Sequence, residues 1–219
     1  SKMSKDTPVT EKERQLLRAL IGGLQWTSTQ VAPHLQVHTS LLAGEITRAT
    51  LETMDKANKA LRFAKANADV GLEFMSLGDL QDLAIVAYSD ASFACRHDDS
   101  SQACHLITLT PKAALTEGVE ARYQVPDWRS FKCPRVARST LAAEAQAAGE
   151  AADNLSYAGL FLKMTLDPAL SLRDPGSLQH LQPGALVIDA KALYDSLHQE
   201  ELMSRAGTEK RTSIEIRVA

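Results

Sequence analysis

Cysteine is scarce and shows no pairing pattern. There are three, Cys95, Cys104 and Cys133, with no CxxC spacing among them. That argues against a disulfide framework and a cysteine-based structural zinc site, and it suits a reducing compartment. No apolar run approaches the roughly 18 residues that a membrane-spanning helix needs. The opening SKMSK leads into no apolar stretch, so no secretory signal is visible. The chain begins at Ser1 without a Met, which points to a fragment or a processed product. A large charge of either sign is also missing: 24 Lys and Arg against 27 Asp and Glu leave a formal net charge of −3. A global pull toward a polyanion is therefore excluded, and any nucleic-acid binding has to come from a local basic patch. No internal repeat or low-complexity tract is present.

What remains reads as globular. The 219 residues suffice for one good core, or for one core and a smaller subdomain. Residues 1–9 read as a frayed lead-in. Thr10 with Glu13 fits a capping box, and Leu16, Leu17, Leu20, Ile21 and Leu24 give helical spacing as far as Trp26. Thr27 to Pro33 reads as a loop, Leu35 to Ala49 as a second helix and Leu51 to Asn67 as a third. Gly71 to Phe74 is a short strand candidate, and a boundary falls near residue 78. This makes 1–78 a helical segment and 79–219 a second domain.

In the second domain the pattern changes. Leu83 to Ser89 is an apolar run closed by polar residues, the mark of a buried strand, and Asp90 follows it. Cys104 to Thr110 and Arg122 to Phe131 supply two more strands, the latter holding Pro126 and so suited to an edge. Ser139 to Met164 is alanine-rich and helical, with Ala148, Ala151, Leu155, Ala158 and Leu162 on one face. Asp167 to Pro183 reads as a Pro/Gly-rich loop. Ala185 to Ile188 is another short strand, followed by Asp189, and Lys191 to His198 is a helix. The order βββ–α–β–α implies an α/β fold, a mixed sheet with helices on its faces.

Two strands thus end in Asp, and the long helix carries Glu144 in its second turn. Each acid has a plainer reading alone, as a turn, cap or solvated helix residue. Their joint order is what points to chemistry. Clustered carboxylates repel unless a cation neutralises them, and hard oxygen ligands suit Mg²⁺ or Mn²⁺. Two such ions about 3.5–4 Å apart can clamp the attacking and leaving oxygens of a phosphodiester. Glu215, in KRTSIEIR, is a fourth acid near the chain end.

That order resembles the ribonuclease H region of copia-type LTR retrotransposon polyproteins. AYSDASFA (87–94) looks like the family's first-Asp strand, and DWRSFKCPRVARSTLAAEAQA (127–147) like the stretch that carries its Glu. VIDAKALYDSL (187–197) looks like its third-carboxylate strand, and KRTSIEIR (210–217) like its R-T-K-H-I-D-I-R. Upstream, 16–44 and 56–74 resemble the segment joining reverse transcriptase to ribonuclease H. The resemblance implies a ribonuclease-H-like mixed five-stranded sheet with flanking helices, preceded by a small helical subdomain. It implies a two-metal hydrolase that cuts the RNA strand of RNA–DNA hybrids, with Asp90, Glu144, Asp189 and Glu215 as catalytic metal ligands and two Mg²⁺ or Mn²⁺ ions. Glu215 stands where the family has Asp. The implied partners are the hybrid and the reverse transcriptase portion of the same polyprotein, with no membrane. The implied location is a cytoplasmic virus-like particle, with a nuclear phase also open. No YxDD polymerase motif is present, and the polar loop before the final helix has none of the family's product-release His.

Arg129, Lys132, Arg135 and Arg138 lead into the Glu144 helix and are the candidate hybrid contacts, with Ser139 beside them. Phosphate contacts of this kind make affinity salt-dependent, and reading the 2′-OH separates RNA from DNA. The plainer readings are gatekeeper charges on an exposed strand and, for Ser139, a helix cap. Two rival functions stay open: a non-catalytic ribonuclease-H-like module that binds nucleic acid or connects polyprotein segments, and a relative of the DDE-type recombinases. The Glu lying between the two Asp strands argues against the recombinases.

Overall fold

The computed structural model describes residues 4–167, 170 and 184–198. Contacts divide the chain into two compact units. The first runs to Leu72 and takes in Arg96–Asp99 and Arg129–Lys132; the second takes in Glu73–Cys95, Ser100–Trp128 and the described residues from Cys133 on.

The first unit is built on three helices, α1 (Glu11–Gln30), α2 (Gln36–Glu45) and α3 (Leu51–Ala66). Thr10 and Glu13 form the expected capping box on α1. The helix runs past Trp26 to Gln30, taking in the first four residues of the stretch read as a loop. The hydroxyls of Thr27, Ser28 and Thr29 explain this, because they donate to the carbonyls of Gly23 and Gln25 one turn back. Their polarity is met inside the helix and does not break it. Leu17, Ile21 and Leu24 of α1 pack with Leu42 of α2 and with Ala57 and Ala60 of α3. Each fully buried Leu or Ile contributes about 1.5–3 kcal/mol. The described part of the lead-in, residues 4–9, is tied down at its end: Pro8 bridges Thr50, Val9 is buried and donates its N–H to the Ala49 carbonyl, and the Leu51 N–H donates to the Thr7 carbonyl. The short strand expected at Gly71–Phe74 does not form; those residues are irregular.

The second unit is a sheet with a long helix laid on it. Strands β1 (Leu83–Ser92), β2 (Gln102–Pro111), β3 (Gln124–Lys132) and β4 (Gly184–Ile188) stand in the order β3-β2-β1-β4. A short helix, α4 (Lys112–Thr116), follows β2; α5 (Thr140–Leu166) precedes β4, and α6 (Lys191–His198) follows it. The first two strands pair antiparallel, while β1 and β4 pair parallel, so the sheet is mixed. Pro126 lies in β3, which borders only β2, as its missing N–H requires. The described residues give four strands, and the expected fifth is not among them. The described chain after β4 turns directly into α6, which buries Leu193 on a helical face.

Alanine lets α5 lie close to the sheet. Ala143, Ala147, Ala148 and Ala151 have no solvent exposure. Ile85 and Ala87 of β1 and Ile107 of β2 pack with Ala151 and Leu162, with Leu155 and Ala158 beside them. These four helix positions, with the buried Ala148, make up the face expected from spacing. On the flank, Leu193 of α6 is fully buried against Ala145 and Ala148, which docks the segment after β4 onto α5.

Candidate metal centre

Strand register builds the site. In the parallel pair, Ser89 stands beside Ile188. One residue further along each chain are Asp90 and Asp189, on neighbouring strands that lie about 4.8 Å apart. Asp90 is not past the end of its strand, as its apolar run suggests. The antiparallel ladder with β2 continues to Ser92, so Asp90 sits within β1 opposite Cys104. Glu144 comes from α5, whose start is fixed by Ser139, the Oγ of which accepts the Ala142 N–H at 3.1 Å.

These three elements bring three carboxylates together. Oxygens of Asp90, Glu144 and Asp189 all lie within 4.8 Å of one another. Asp90 and Asp189 are exposed and Glu144 is half-buried. Glu144 Oε2 is buried and has no hydrogen-bond partner among the described residues. Burial pushes the Glu144 carboxyl up to about 7, and the charges of Asp90 and then Asp189 add to that, while a hydrogen bond from the Ala91 backbone opposes it. Like charges this close repel by roughly 3–4 kcal/mol per pair at the effective dielectric near a protein surface. Among the described residues, no Lys, Arg or His forms an ion pair with any of the three. Three hard oxygen donors with an unmet buried oxygen fit a small divalent cation such as Mg²⁺ or Mn²⁺. Glu215 lies outside the described residues.

Cys104 is the neighbour that sequence reasoning did not place. CHLITLT reads only as a strand with a small, semi-buried thiol. Its relation to Asp90 appears once the β1–β2 register is known. Burial raises its thiol pKa, and the charges of Asp90 and Glu144 raise it further, which puts it within the field of the same cluster.

The basic residues have varied settings. Arg129 lies over the Phe131 ring at 4.8 Å, and Lys132 Nζ pairs with Asp98 Oδ2 at 2.5 Å. Arg135 and Arg138 are exposed in the segment between β3 and α5. The Ser139 hydroxyl is engaged as the helix cap. His105 is buried in β2 and its Nε2 lies 3.0 Å from Asp127 Oδ2. Among the described residues, no helix is long and apolar enough to cross a membrane.

Comparison of the chain with protein-family models, with curated proteins and with solved structures finds no match.

Proposed function

We propose that the protein is a divalent-metal-dependent nuclease that hydrolyses the RNA strand of RNA–DNA hybrids, acting beside a reverse transcriptase in one retrotransposon polyprotein. The observation that carries the reading is the convergence of Asp90, Glu144 and Asp189 from β1, α5 and the end of β4. Chain order, strand order and the mixed pairing also agree with a ribonuclease-H-like sheet, the fold on which the sequence motifs depend.

In this reading Asp90, Glu144 and Asp189 hold Mg²⁺ or Mn²⁺. The bound ions would activate water and stabilise the oxygens of the in-line displacement. The residues of this chain do the positioning. Asp90 and Asp189 are fixed by the parallel register of β1 and β4, and Glu144 by the capped start of α5. Burial and the neighbouring charges raise the pKa of Glu144, so metal loading at its buried oxygen would be coupled to the loss of a proton. Arg135 and Arg138 at the entry to α5 offer charge to phosphates, and Arg129 and Lys132 remain candidate contacts.

The test is substrate choice. Protein with Mg²⁺ should cut the labelled RNA strand of a hybrid and leave its DNA strand, a DNA duplex and free single-stranded RNA intact. Equal cutting of the DNA duplex would instead indicate a general phosphodiesterase. Hybrid binding without cutting, and without uptake of divalent ions, would favour the non-catalytic module.

A further inference from the structure

We infer that Gln146 is a positioning residue whose side-chain amide holds the arginine-bearing segment 133–139 against α5 and so sets where Arg138 meets the hybrid. The inference rests on the function proposed above.

Gln146 is a polar residue where the packing calls for an apolar one. It is 4% exposed, in a run of α5 where Ala142, Ala143, Ala145, Ala147 and Ala148 are all buried. A side-chain amide in such a place is costly unless both its ends are bonded. Here both are. Oε1 accepts the Arg135 backbone N–H at 3.0 Å, and Nε2 donates to the Ala142 carbonyl at 3.4 Å. One end faces the segment and the other faces the helix.

The segment needs such a tie, since it has no regular structure between β3 and α5. Its ends are held: Cys133 N–H donates to the Ser101 carbonyl at 2.9 Å, and Ser139 Oγ caps α5 through the Ala142 N–H. Between these ends Val136 is 88% exposed, and Arg138 is also exposed. Arg138 makes no ion pair among the described residues. The Gln146–Arg135 bond ties the segment to α5 between the two ends. Gln146 also lies two positions after Glu144 on the same helix. The same turns of α5 therefore place an acid of the candidate metal centre and the backbone of the basic segment.

The experiment is a double-mutant cycle on hybrid binding, with amide exchange as an independent readout. Wild type, Gln146→Met, Arg138→Ala and the double variant are titrated with a fluorescein-labelled RNA–DNA hybrid in EDTA, so that no cleavage intervenes. Hydrogen exchange of the Arg135 amide is followed in each. Gln146→Met keeps the length of the side chain and removes the acceptor. The expected result is loss of Arg135 protection and hybrid binding about fivefold weaker, falling to under about twofold in the Arg138→Ala background. Mg²⁺ uptake, read by calorimetry, should not change. Arg135→Pro compared with Arg135→Ala deletes the same bond from the exposed side, without touching the core, and should weaken binding to a similar extent. Lost Arg135 protection with wild-type binding would overturn the inference, as would an equal effect with and without Arg138. If wild type itself binds no hybrid, the proposed function fails and this inference with it; that outcome is distinct because it appears before any substitution.

Discussion

Asp90 and Glu144 reach one point from different elements, a strand and a helix, and the charge on Asp90 helps to keep the Glu144 carboxyl protonated up to about pH 7. Burial is the larger cause and Asp90 the next. The cluster is therefore poorly satisfied as a purely structural feature, and it gives the protein a measurable pH signature.

Without divalent ions, stability should fall as pH rises. Glu144 in the fold binds its proton more tightly than in the unfolded chain, where its pKa is near the usual 4.5. Between that value and about 7 the folded state holds more protons, so ∂ΔG/∂pH is negative for this group. Its contribution is fully present below about pH 4.5 and is lost through about pH 7. Half-burial and water screening limit the loss to on the order of 1 kcal/mol. Urea denaturation in EDTA at pH 4.5, 6 and 8 should show this slope in wild type, and its reduction in Glu144→Gln.

Asp90→Asn should make the metal-free protein more stable while removing activity. The substitution deletes one repelling charge next to Glu144, and a gain of about 1 kcal/mol at pH 8 is expected. The gain should vanish when Mg²⁺ is added, because only wild type then draws stability from binding. A stability loss in EDTA would mean that Asp90 makes a structural bond the fold depends on.

Ser139 separates a cap from a substrate contact. Its Oγ accepts from the Ala142 N–H, so Ser139→Ala should cost about 1 kcal/mol of stability and Ser139→Asp should restore most of it. Thermal unfolding reads both. A hybrid-binding defect in Ser139→Ala with unchanged stability would instead place the hydroxyl on the substrate.

Leu193 should matter both for the core and for the acids, since it lies four residues after Asp189. It is fully buried between α6 and the Ala145–Ala148 stretch of α5. Leu193→Ala should cost about 3 kcal/mol by leaving a cavity. It should also weaken Mg²⁺ binding, since α6 begins two residues after Asp189. Calorimetry on a variant still folded at low temperature checks the second effect.

The sequence made much of this legible, and its failures have local causes. Apolar runs locate β1 and β4 and alternation locates β2, while β3, mostly outside the core, is read as an edge stretch around Pro126. The alanines of α5 located the helix and its packed face. Where side chains make their own backbone bonds, boundaries slipped: Thr27, Ser28 and Thr29 look like a loop but extend α1. Where pairing decides, the strand outran its apolar run, so that Asp90 lies inside β1. The tie between Gln146 and Arg135 was invisible, because a glutamine in an alanine run has no periodic signal of its burial. The three acids could be listed from their order, but their convergence depends on the β1–β4 register and on α6 docking through Leu193, both of which are long-range.

The most direct measurement is the rate of RNA-strand cleavage in a labelled RNA–DNA hybrid as Mg²⁺ is titrated, for wild type and for Asp90→Asn. Cleavage should be absent in EDTA, rise with Mg²⁺ and fall by about a thousandfold or more in Asp90→Asn. Cleavage that persists in EDTA, or that Asp90→Asn leaves unchanged, would contradict the proposed function.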